Sequence, residues 1–316
     1  MLVRVLACSL APGDIRVLSG QGDLIQKPPS FPYIPGGDVS GVIEALSAEG
    51  EAAGFRKGDR VIALFPDAAP RGGLAEYAAV KVSRVAKLPP TVSADEGAAL
   101  PSSALTAMVA ADLVRPGDRV LVLGGAGGVG SHLVQLAKHA GAAYVAATST
   151  QAEMLAELGV DRVIDYRSER WWELDEFVEQ PFTVVFDCVA GKHAWRTARR
   201  ARALAPRARY NSLVLGDNPY FEIHTPIGIL KTMLPVMVRT FLSSFGKGPK
   251  YKFVLGLTPQ EGRLARVAQL AADGAMRSVL EPECPLPFTE QGVRRAFDLQ
   301  KSNHAHGKVV VHIADE

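Results

Sequence analysis

Five glycines stand between a short apolar segment and a helix-like pattern in the stretch VLVLGGAGGVGSHLVQLAKHAGAAYVAAT, Val120 to Thr148. The apolar segment, Val120 to Leu123, does not alternate with polar residues, which is typical of a parallel strand covered on both faces. Gly125, Gly127 and Gly130 follow it at the spacing G-x-G-x-x-G. Glycines at these positions permit a tight turn and let backbone N–H groups approach a pyrophosphate, and the helix N-terminus adds partial positive charge.

Tight strand-to-helix turns without a ligand can show the same spacing. Here a second apolar strand, Tyr144 to Ala147, follows the helical pattern where a mononucleotide-binding strand–helix–strand unit needs it. We therefore predict that the glycine turn binds a dinucleotide.

The patterning of the whole chain predicts an α/β protein with two domains. Its 316 residues are enough for two cores. Up to about Lys87, short apolar segments divided by Gly and Pro indicate a small β-rich domain, and Ser93 to Glu96 form a capping box that predicts a helix through Leu113. From Arg119, strands alternate with helices as in a doubly wound parallel sheet, with one strand predicted from Arg209 to Leu215.

Charge and cysteine content exclude several classes of protein. The net charge of +2 argues against nucleic acid as the main partner. The basic run Lys192 to Arg209 is interpreted as the solvated face of a helix. Cys8, Cys188 and Cys284 lack C-x-x-C spacing, so we expect free thiols rather than disulfides or a thiolate zinc site.

No apolar run reaches the length of a membrane span, so we predict no span. The segment Ile227 to Leu242 is interrupted by Lys231, Pro235 and Arg239, and is interpreted as an amphipathic helix or lid. Met1 leads at once into strand-like residues, and we find no targeting segment. These features predict a cytoplasmic location or an organelle lumen.

Several motifs are spread along almost the whole chain, namely LACSLAPGDIRVLSG, PYIPGGDVSGVI, GFRKGDRVIA, GGLAEYAAV, AALPSSALTA, LVLGGAGGVGSHLVQLAKHAGA, LGVDRVIDY and HGKVVVHI. Together these motifs resemble the medium-chain dehydrogenase/reductase superfamily. The chain is most similar to its zinc-free quinone oxidoreductase branch, including the group named after the reticulon-4-interacting protein. The resemblance implies a GroES-like catalytic domain at 1–100 and 251–316, a Rossmann NADP-binding domain at 101–250 and a cleft between them; we also expect a homodimer.

The chain departs from the family at its start, because relatives normally carry another strand or two before LVRVLACS. Loss of those strands would expose a sheet edge. We expect either a truncated form or neighbouring strands that close the gap.

Zinc-dependent relatives hold their metal with a cysteine, a histidine followed by an acid, and a second cysteine or acid. The matching positions here are Ala11, Gly37 followed by Asp38, and Ser102. The cysteine-rich loop of those relatives is also missing between Phe65 and Gly72, and His304 and His306 are interpreted as a solvated loop pair. We therefore expect no zinc and no other metal.

An enzyme without a metal lacks the Lewis acid that stabilises an alkoxide, but it can still transfer hydride to an acceptor that is already polarised. The expected substrate is therefore a small electrophile, either a quinone or an α,β-unsaturated carbonyl whose C=C bond is reduced. Two other functions stay open, namely an NADPH-binding protein with little catalysis, in a crystallin-like or RNA-binding role, and an enoyl-thioester reductase.

NADPH rather than NADH is predicted as the cofactor, because no acid follows the second strand to repel a 2′-phosphate. Hydroxyl residues stand there instead, and the resemblance places Tyr166 and Arg167 beside the adenine and its phosphate. Together with the motif glycines Gly125, Gly127 and Gly130, the expected cofactor residues are Thr106, Ala126, Gly128, Val129, Thr148, Ser149, Thr150, Tyr166, Arg167, Cys188, Val189, Leu213, Val214, Leu215, Phe253, Val254 and Leu255.

The sequence does not identify a catalytic residue. Asp14, Arg16, Tyr33 and Ser102 lie in segments that resemble cleft-lining ones and are the candidates for substrate contact. For Asp14 the alternative is that its carboxylate fixes its own turn.

Overall fold

The computed structural model describes residues 1–20, 27–28, 30–65, 72–189, 191–215, 225–254 and 262–316. The chain divides into two compact units, one formed by Met1–Leu105 and Leu257–Glu316 and the other by Thr106–Gly256. The first is a GroES-like β-rich unit and the second is a Rossmann-like parallel-sheet unit, so the predicted fold class is confirmed.

The first unit is built on a mostly antiparallel sheet. Its elements are β1 (Leu2–Leu10), α1 (Pro12–Ser19), β2 (Asp38–Ala45), α2 (Ala48–Ala52), β3 (Arg60–Leu64), β4 (Tyr77–Ala79), β5 (Val85–Lys87), α3 (Ala94–Ala98), α10 (Arg263–Ala272), β12 (Leu286–Pro287), α11 (Glu290–Lys301) and β13 (Val309–His312). A further helix, α4 (Pro101–Ala111), begins in this unit and ends in the second. The strand order is β12-β13-β1-β2-β3-β5, and β4 also pairs with β1. The core of the unit includes Val5, Leu10, Ile43 and Val311.

β1 is an interior strand. Residues Leu2 to Arg4 pair with β4, residues Ala7 to Leu10 pair with β13, and β2 covers the other side. Both edges of β1 are therefore paired with strands of the described chain.

The second unit is built on a parallel sheet. Its elements are β6 (Arg119–Leu123), α5 (Gly128–His139), β7 (Tyr144–Thr148), α6 (Ala152–Glu157), β8 (Arg162–Ile164), α7 (Asp175–Glu179), β9 (Phe182–Asp187), α8 (Gly191–Ala198), β10 (Leu204–Ser212), α9 (Pro226–Ser244) and β11 (Lys250–Phe253). Among the described residues the strand order is β11-β10-β9-β6-β7-β8. This order reverses at β6, as in doubly wound folds whose ligands bind at the carboxyl ends of the strands. The core of the unit includes Leu121, Phe182, Trp195, Tyr210 and Tyr251.

Two predicted elements differ from the structure. The helix expected from Ser93 through Leu113 is two helices, α3 and α4, because Pro101 cannot continue the hydrogen-bond ladder of α3. The Ser93 hydroxyl does cap α3, with the Glu96 carboxylate accepting from the Ser93 N–H. The strand expected from Arg209 begins earlier, at Leu204, which pairs with Phe182. The pairing then shifts in register before Arg209, and the apolar pattern of the sequence does not predict this shift.

The basic run Lys192 to Arg209 is not one helix face. It is divided between α8, where Trp195 is buried, and β10. Arg209 donates hydrogen bonds to the Asp118 carboxylate and to the Leu113 carbonyl. The interpretation as a solvated helix face therefore holds only for the exposed part of α8.

Candidate functional site

One row of residues runs across the carboxyl edge of the parallel sheet. Leu123 of β6 pairs with Thr148 of β7 on one side and with Asp187 of β9 on the other, and the row continues through Ser212 and Phe253. Most of the predicted cofactor residues lie in this row or directly after it. The structure thus brings together residues from five strands at the edge where doubly wound sheets bind ligands.

The fold requires two of the three motif glycines. A Cβ on Gly125 would lie 2.6 Å from the Cβ of Ala147, and a Cβ on Gly130 would lie 2.1 Å from the carbonyl oxygen of Gly124. Both positions therefore exclude a side chain because the helix and the sheet approach closely. Gly127 is different, since its φ of −74° suits any residue and its Cβ would meet only the Gly124 oxygen at 3.6 Å. The folded chain alone gives no reason for glycine at 127.

The turn presents an open helix N-terminus. Gly127 is the N-cap of α5 and forms no side-chain cap hydrogen bond. The turn is held to β7 because the Gly124 N–H donates to Thr148 Oγ1 at 2.9 Å and the Gly125 N–H donates to the Thr148 carbonyl at 3.0 Å. Ala126 is buried, whereas Gly128 and Val129 are half-buried. The residues present therefore fit a pyrophosphate, with free space at Gly127 and partial positive charge at the start of α5.

The hydroxyl residues after β7 separate into two groups. Thr148 and Ser149 are 7% and 4% exposed, and the Ser149 hydroxyl accepts a hydrogen bond from the Gln151 N–H at 2.9 Å. Thr150 instead lines an open cavity of about 490 Å³. The other lining residues, none of which was among the predicted cofactor residues, are Gln151, Ala152, Glu153, Met154 and Glu157.

Tyr166 and Arg167 lie just beyond β8. The Tyr166 ring is 56% exposed and so offers a face to a ligand. The Arg167 guanidinium donates to both carboxylate oxygens of Asp165, at 3.0 and 2.7 Å, and lowers the pKa of Asp165 to about 2. Asp165 was not singled out in the sequence, although it stands directly before the predicted pair.

Asp187 organises the end of β9. Its side chain is fully buried and accepts hydrogen bonds from the Tyr210 hydroxyl at 2.6 Å and from the Val189 N–H at 3.1 Å. Burial, followed by the Asp187 charge, raises the pKa of both Tyr210 and the Cys188 thiol. Sequence reasoning missed Asp187, although an acid at the end of the apolar run VVF was a usable signal.

The remaining predicted cofactor residues are mostly apolar and well packed. The Leu213 N–H donates to the Asp187 carbonyl and the Val254 N–H donates to the Ser212 carbonyl. Val214 and Val254 are buried, and Val189 is half exposed beside Gly124. Half-buried residues are Thr106, Leu213, Leu215 and Phe253, and Leu255 lies outside the described residues.

The four substrate candidates belong to the β-rich unit. The Asp14 carboxylate accepts from the Ala11 N–H and the Gly36 N–H, both at 2.8 Å, so it holds its turn as the alternative interpretation expected. Arg16 and Tyr33 are half-buried. Ser102 is hydrogen-bonded to the buried carboxylate of Asp38.

Asp38 is fully buried at the start of β2. Its carboxylate accepts from the Ser102 hydroxyl at 2.5 Å, the Ser102 N–H at 3.0 Å and the Lys308 ammonium at 3.0 Å, and Ser9 also donates at 3.3 Å. Lys308, only 4% exposed, also donates to the Leu10 carbonyl. Such a buried pair is tolerated because the charges are paired and hydrogen-bonded. Sequence spacing gave no signal for it, since 270 residues separate the partners.

The positions that match zinc ligands in relatives do not fit a zinc ion. Ala11 and Gly37 have no ligating side-chain atom, and the neutral Ser102 hydroxyl donates to Asp38, whose charge is balanced by Lys308. Elsewhere in the described residues, no group of three or more His, Cys, Asp or Glu side chains could hold a metal ion. The three cysteines are free thiols, as predicted.

Two protein-family models match parts of the chain. A family model for the alcohol dehydrogenase GroES-like domain matches residues 1–90, and a model described as zinc-binding dehydrogenase matches residues 158–311. The quinone-oxidoreductase homolog of Spinacia oleracea chloroplasts is 39% identical over 98% of this chain and 89% of its own length. The chain belongs to the medium-chain dehydrogenase/reductase superfamily.

Further relatives of this oxidoreductase carry related names. The human mitochondrial NAD(P)H oxidoreductase RTN4IP1 is 31% identical over 99% of this chain and 81% of its own length. The chloroplastic NADPH-dependent alkenal/one oxidoreductase of Arabidopsis thaliana is 30% identical over 99% of this chain and 72% of its own length. The solved quinone oxidoreductase of Thermus thermophilus, also known in complex with NADPH, is 27% identical, with a TM-score of 0.68 over 98% of this chain and 90% of that chain. The chain is thus an oxidoreductase that uses a nicotinamide cofactor, as predicted.

Proposed function

We propose that this oxidoreductase transfers hydride from NADPH to a quinone or to the C=C bond of an α,β-unsaturated carbonyl, without zinc. The observation that carries the proposal is Gly127, a glycine that the chain's own packing and φ angle do not require. A bound pyrophosphate would explain it, because a side chain there would occupy the space that the ligand needs. The names of the plant and Thermus relatives support the same chemistry.

The proposed cofactor residues contact different parts of NADPH. The turn at Gly127 and the N-terminus of α5 stabilise the pyrophosphate charge. Thr150 offers a neutral hydroxyl to the 2′-phosphate, and the exposed face of Tyr166 stacks on the adenine. When bound, NADPH supplies a hydride to an electron-poor acceptor.

The residues of the β-rich unit limit the acceptor. Ala11 and Ser102 provide no Lewis acid, so the enzyme depends on an acceptor whose own carbonyl withdraws charge. Ser102, whose hydroxyl and backbone N–H both donate to the Asp38 carboxylate, is proposed as one substrate contact. Asp14, Arg16 and Tyr33 are proposed as further substrate contacts. Enones and quinones satisfy this requirement, whereas simple alcohols do not.

The two compact units are proposed to be the catalytic and nucleotide-binding domains that the sequence placed at 1–100 with 251–316 and at 101–250. We further propose a homodimer. In its support, β11 is an edge strand of the parallel sheet within the part of the chain that the structure describes. Sedimentation velocity at several concentrations tests this assembly, and a monomer at all of them would refute it.

The function is tested by following the absorbance of NADPH or NADH while the protein meets a panel of quinones, enals, enones and enoyl thioesters. We expect turnover with NADPH and at least one quinone or enone, with no loss of activity after extensive treatment with a zinc chelator. Tight NADPH binding without turnover of any acceptor would favour a binding protein instead. A strong preference for thioesters would favour an enoyl-thioester reductase, and inactivation by the chelator would contradict zinc independence.

A further inference from the structure

Asp187 connects the end of β9 to two neighbouring segments of the chain. Its carboxylate accepts hydrogen bonds from the Val189 N–H at 3.1 Å and from the Tyr210 hydroxyl at 2.6 Å. Its backbone carbonyl accepts from the Leu213 N–H at 2.9 Å. This one fully buried residue therefore holds both the segment that follows β9 and the end of β10.

The hydrogen bond between Tyr210 and Asp187 is of a strong kind. Its 2.6 Å length is typical of a hydroxyl that donates to a charged carboxylate, and such bonds are about twice as strong as neutral ones. Burial, followed by the Asp187 charge, raises the pKa of Tyr210, so its hydroxyl stays protonated and remains a donor. The Asp187 carboxylate is thus held firmly by Tyr210.

Tyr210 is itself held by aromatic packing. Its ring centre lies 5.1 Å from that of Trp195, in an edge-to-face arrangement, and 5.9 Å from that of Tyr251, on which it stacks. All three residues are at most 5% exposed. Because protein cores are close-packed, this aromatic cluster is a rigid support for the Asp187 carboxylate.

Val189 links Asp187 to the glycine turn. A Cβ added to Gly124 would lie 3.0 Å from both Cγ atoms of Val189, so the Val189 side chain lies directly against this glycine. The Cys188 N–H also donates to the Leu123 carbonyl at 3.1 Å, which ties the same segment to the end of β6. Val189 is nevertheless 50% exposed, and an apolar side chain exposed beside a nucleotide-binding turn is available to the ligand.

The place of Val189 in the fold indicates which part of the cofactor it meets. Doubly wound sheets consist of two mononucleotide-binding halves, and the glycine turn together with β7 belongs to the half that binds the adenosine nucleotide. The half formed by β9 to β11 then binds the nicotinamide nucleotide. Val189 follows β9 and contacts the glycine turn, so it lies where the nicotinamide half of the cofactor begins.

We propose that Asp187 is a positioning residue that holds Val189 against the nicotinamide half of the bound cofactor. The inference rests on the proposed use of NADPH. Asp187 acts through the hydrogen bond to the Val189 N–H rather than by touching the cofactor, and the Tyr210 hydroxyl fixes the Asp187 carboxylate in turn.

Tyr210→Phe tests this arrangement, because it removes one hydrogen bond from Asp187 and keeps the aromatic ring. The probes are NADPH and 2′,5′-ADP, which has the adenosine and the 2′-phosphate but no nicotinamide, each titrated by calorimetry. We expect the Kd for NADPH to rise about fivefold and the Kd for 2′,5′-ADP to stay within about twofold of the wild-type value. Asp187→Asn, which has a single acceptor oxygen, should show the same difference between the probes.

Two further variants separate positioning from packing. Tyr251→Phe removes a hydroxyl from the same aromatic cluster, but within the described part of the chain that hydroxyl donates no hydrogen bond to Asp187, so neither Kd should change. Val189→Ala should weaken NADPH binding about as much as Tyr210→Phe does, and the double variant should be no weaker than Val189→Ala alone, because both changes affect one contact. The thermal midpoint without ligand checks that each variant is folded.

Several results would overturn the proposal. An unchanged Kd for NADPH in Tyr210→Phe would refute the positioning role alone, since NADPH binding by the wild-type protein would still support the proposed function. Equal weakening of NADPH and 2′,5′-ADP, or the same loss in Tyr251→Phe, would show that the Tyr210 hydroxyl serves only packing. Additive losses in the double variant would show that Tyr210 does not act through Val189. Failure of the wild-type protein to bind NADPH would refute the proposed function together with this inference.

Discussion

Replacement of Gly127 by serine tests whether this glycine is required for cofactor binding rather than for folding. The backbone at Gly127 has φ −74° and ψ 170°, an extended conformation that any residue can adopt. The nearest atom to a Cβ added there would be the Gly124 carbonyl oxygen, 3.6 Å away. Serine is also among the preferred N-cap residues. We therefore expect the free energy of unfolding without cofactor to stay within about 1 kcal/mol of the wild-type value.

The cofactor should respond very differently to the same change. The serine side chain occupies the space through which backbone N–H groups approach the pyrophosphate. Hydrogen bonds to charged oxygens contribute about 1.5–3 kcal/mol each, so the loss of one or two corresponds to about 3 kcal/mol. The Kd for NADPH should accordingly rise roughly 150-fold.

Gly130→Ala is the matched variant, because its Cβ would lie 2.1 Å from the backbone oxygen of Gly124. It should lose stability as well as binding. Calorimetric titration with NADPH and thermal unfolding without it measure the two quantities separately. The reasoning is refuted if the Gly127→Ser protein binds NADPH within about threefold of wild type, or if it loses as much stability as Gly130→Ala.

Other predictions concern the buried pair, a titrating histidine and cofactor choice. Lys308→Met leaves the Asp38 carboxylate buried without a counter-charge and should lower the free energy of unfolding in urea by about 3–5 kcal/mol, part of which Asp38→Asn should restore. Burial is the largest single influence on the pKa of His312 and lowers it, but the hydrogen bonds and charges of Asp95 and Asp315 together outweigh burial and raise that pKa. The stability that this adds is complete below about pH 6.5 and is lost as pH rises through the folded pKa. The His312→Gln variant should therefore lack this pH-dependent part of the stability when unfolding midpoints are measured across this range. Thr150→Asp should weaken NADPH binding at least tenfold and NADH binding much less in parallel titrations, because a carboxylate repels the 2′-phosphate.

The parts of the fold that could be predicted depend on local chemistry. The apolar run from Val120 and the spacing of the glycines fixed the strand, the turn and the start of α5, because each is decided by backbone geometry within a few residues. The capping box at Ser93 was predicted for the same reason. The break before Pro101 was missed because the apolar pattern on both sides of it favours helix.

The parts that could not be predicted depend on contacts between distant residues. Asp38 and Lys308 meet only because β2 and β13 both pair with β1. The sequence showed that the region of α9 mixes apolar and basic residues, but not that the apolar side faces water. That orientation is decided by the packing of Val236 and Arg239 on β11, which periodicity alone does not specify.

The buried pair also bears on the expectation that this chain binds no zinc. A carboxylate as buried as Asp38 needs a positive charge nearby, since the cost of burying an unpaired anion exceeds what the fold can supply. In this chain the C-terminal part provides it through Lys308, and the Ser102 hydroxyl and N–H complete the set of donors. All these donors are supplied by the chain itself, and they hold Ser102 at a position that the sequence resemblance predicts to match a zinc ligand.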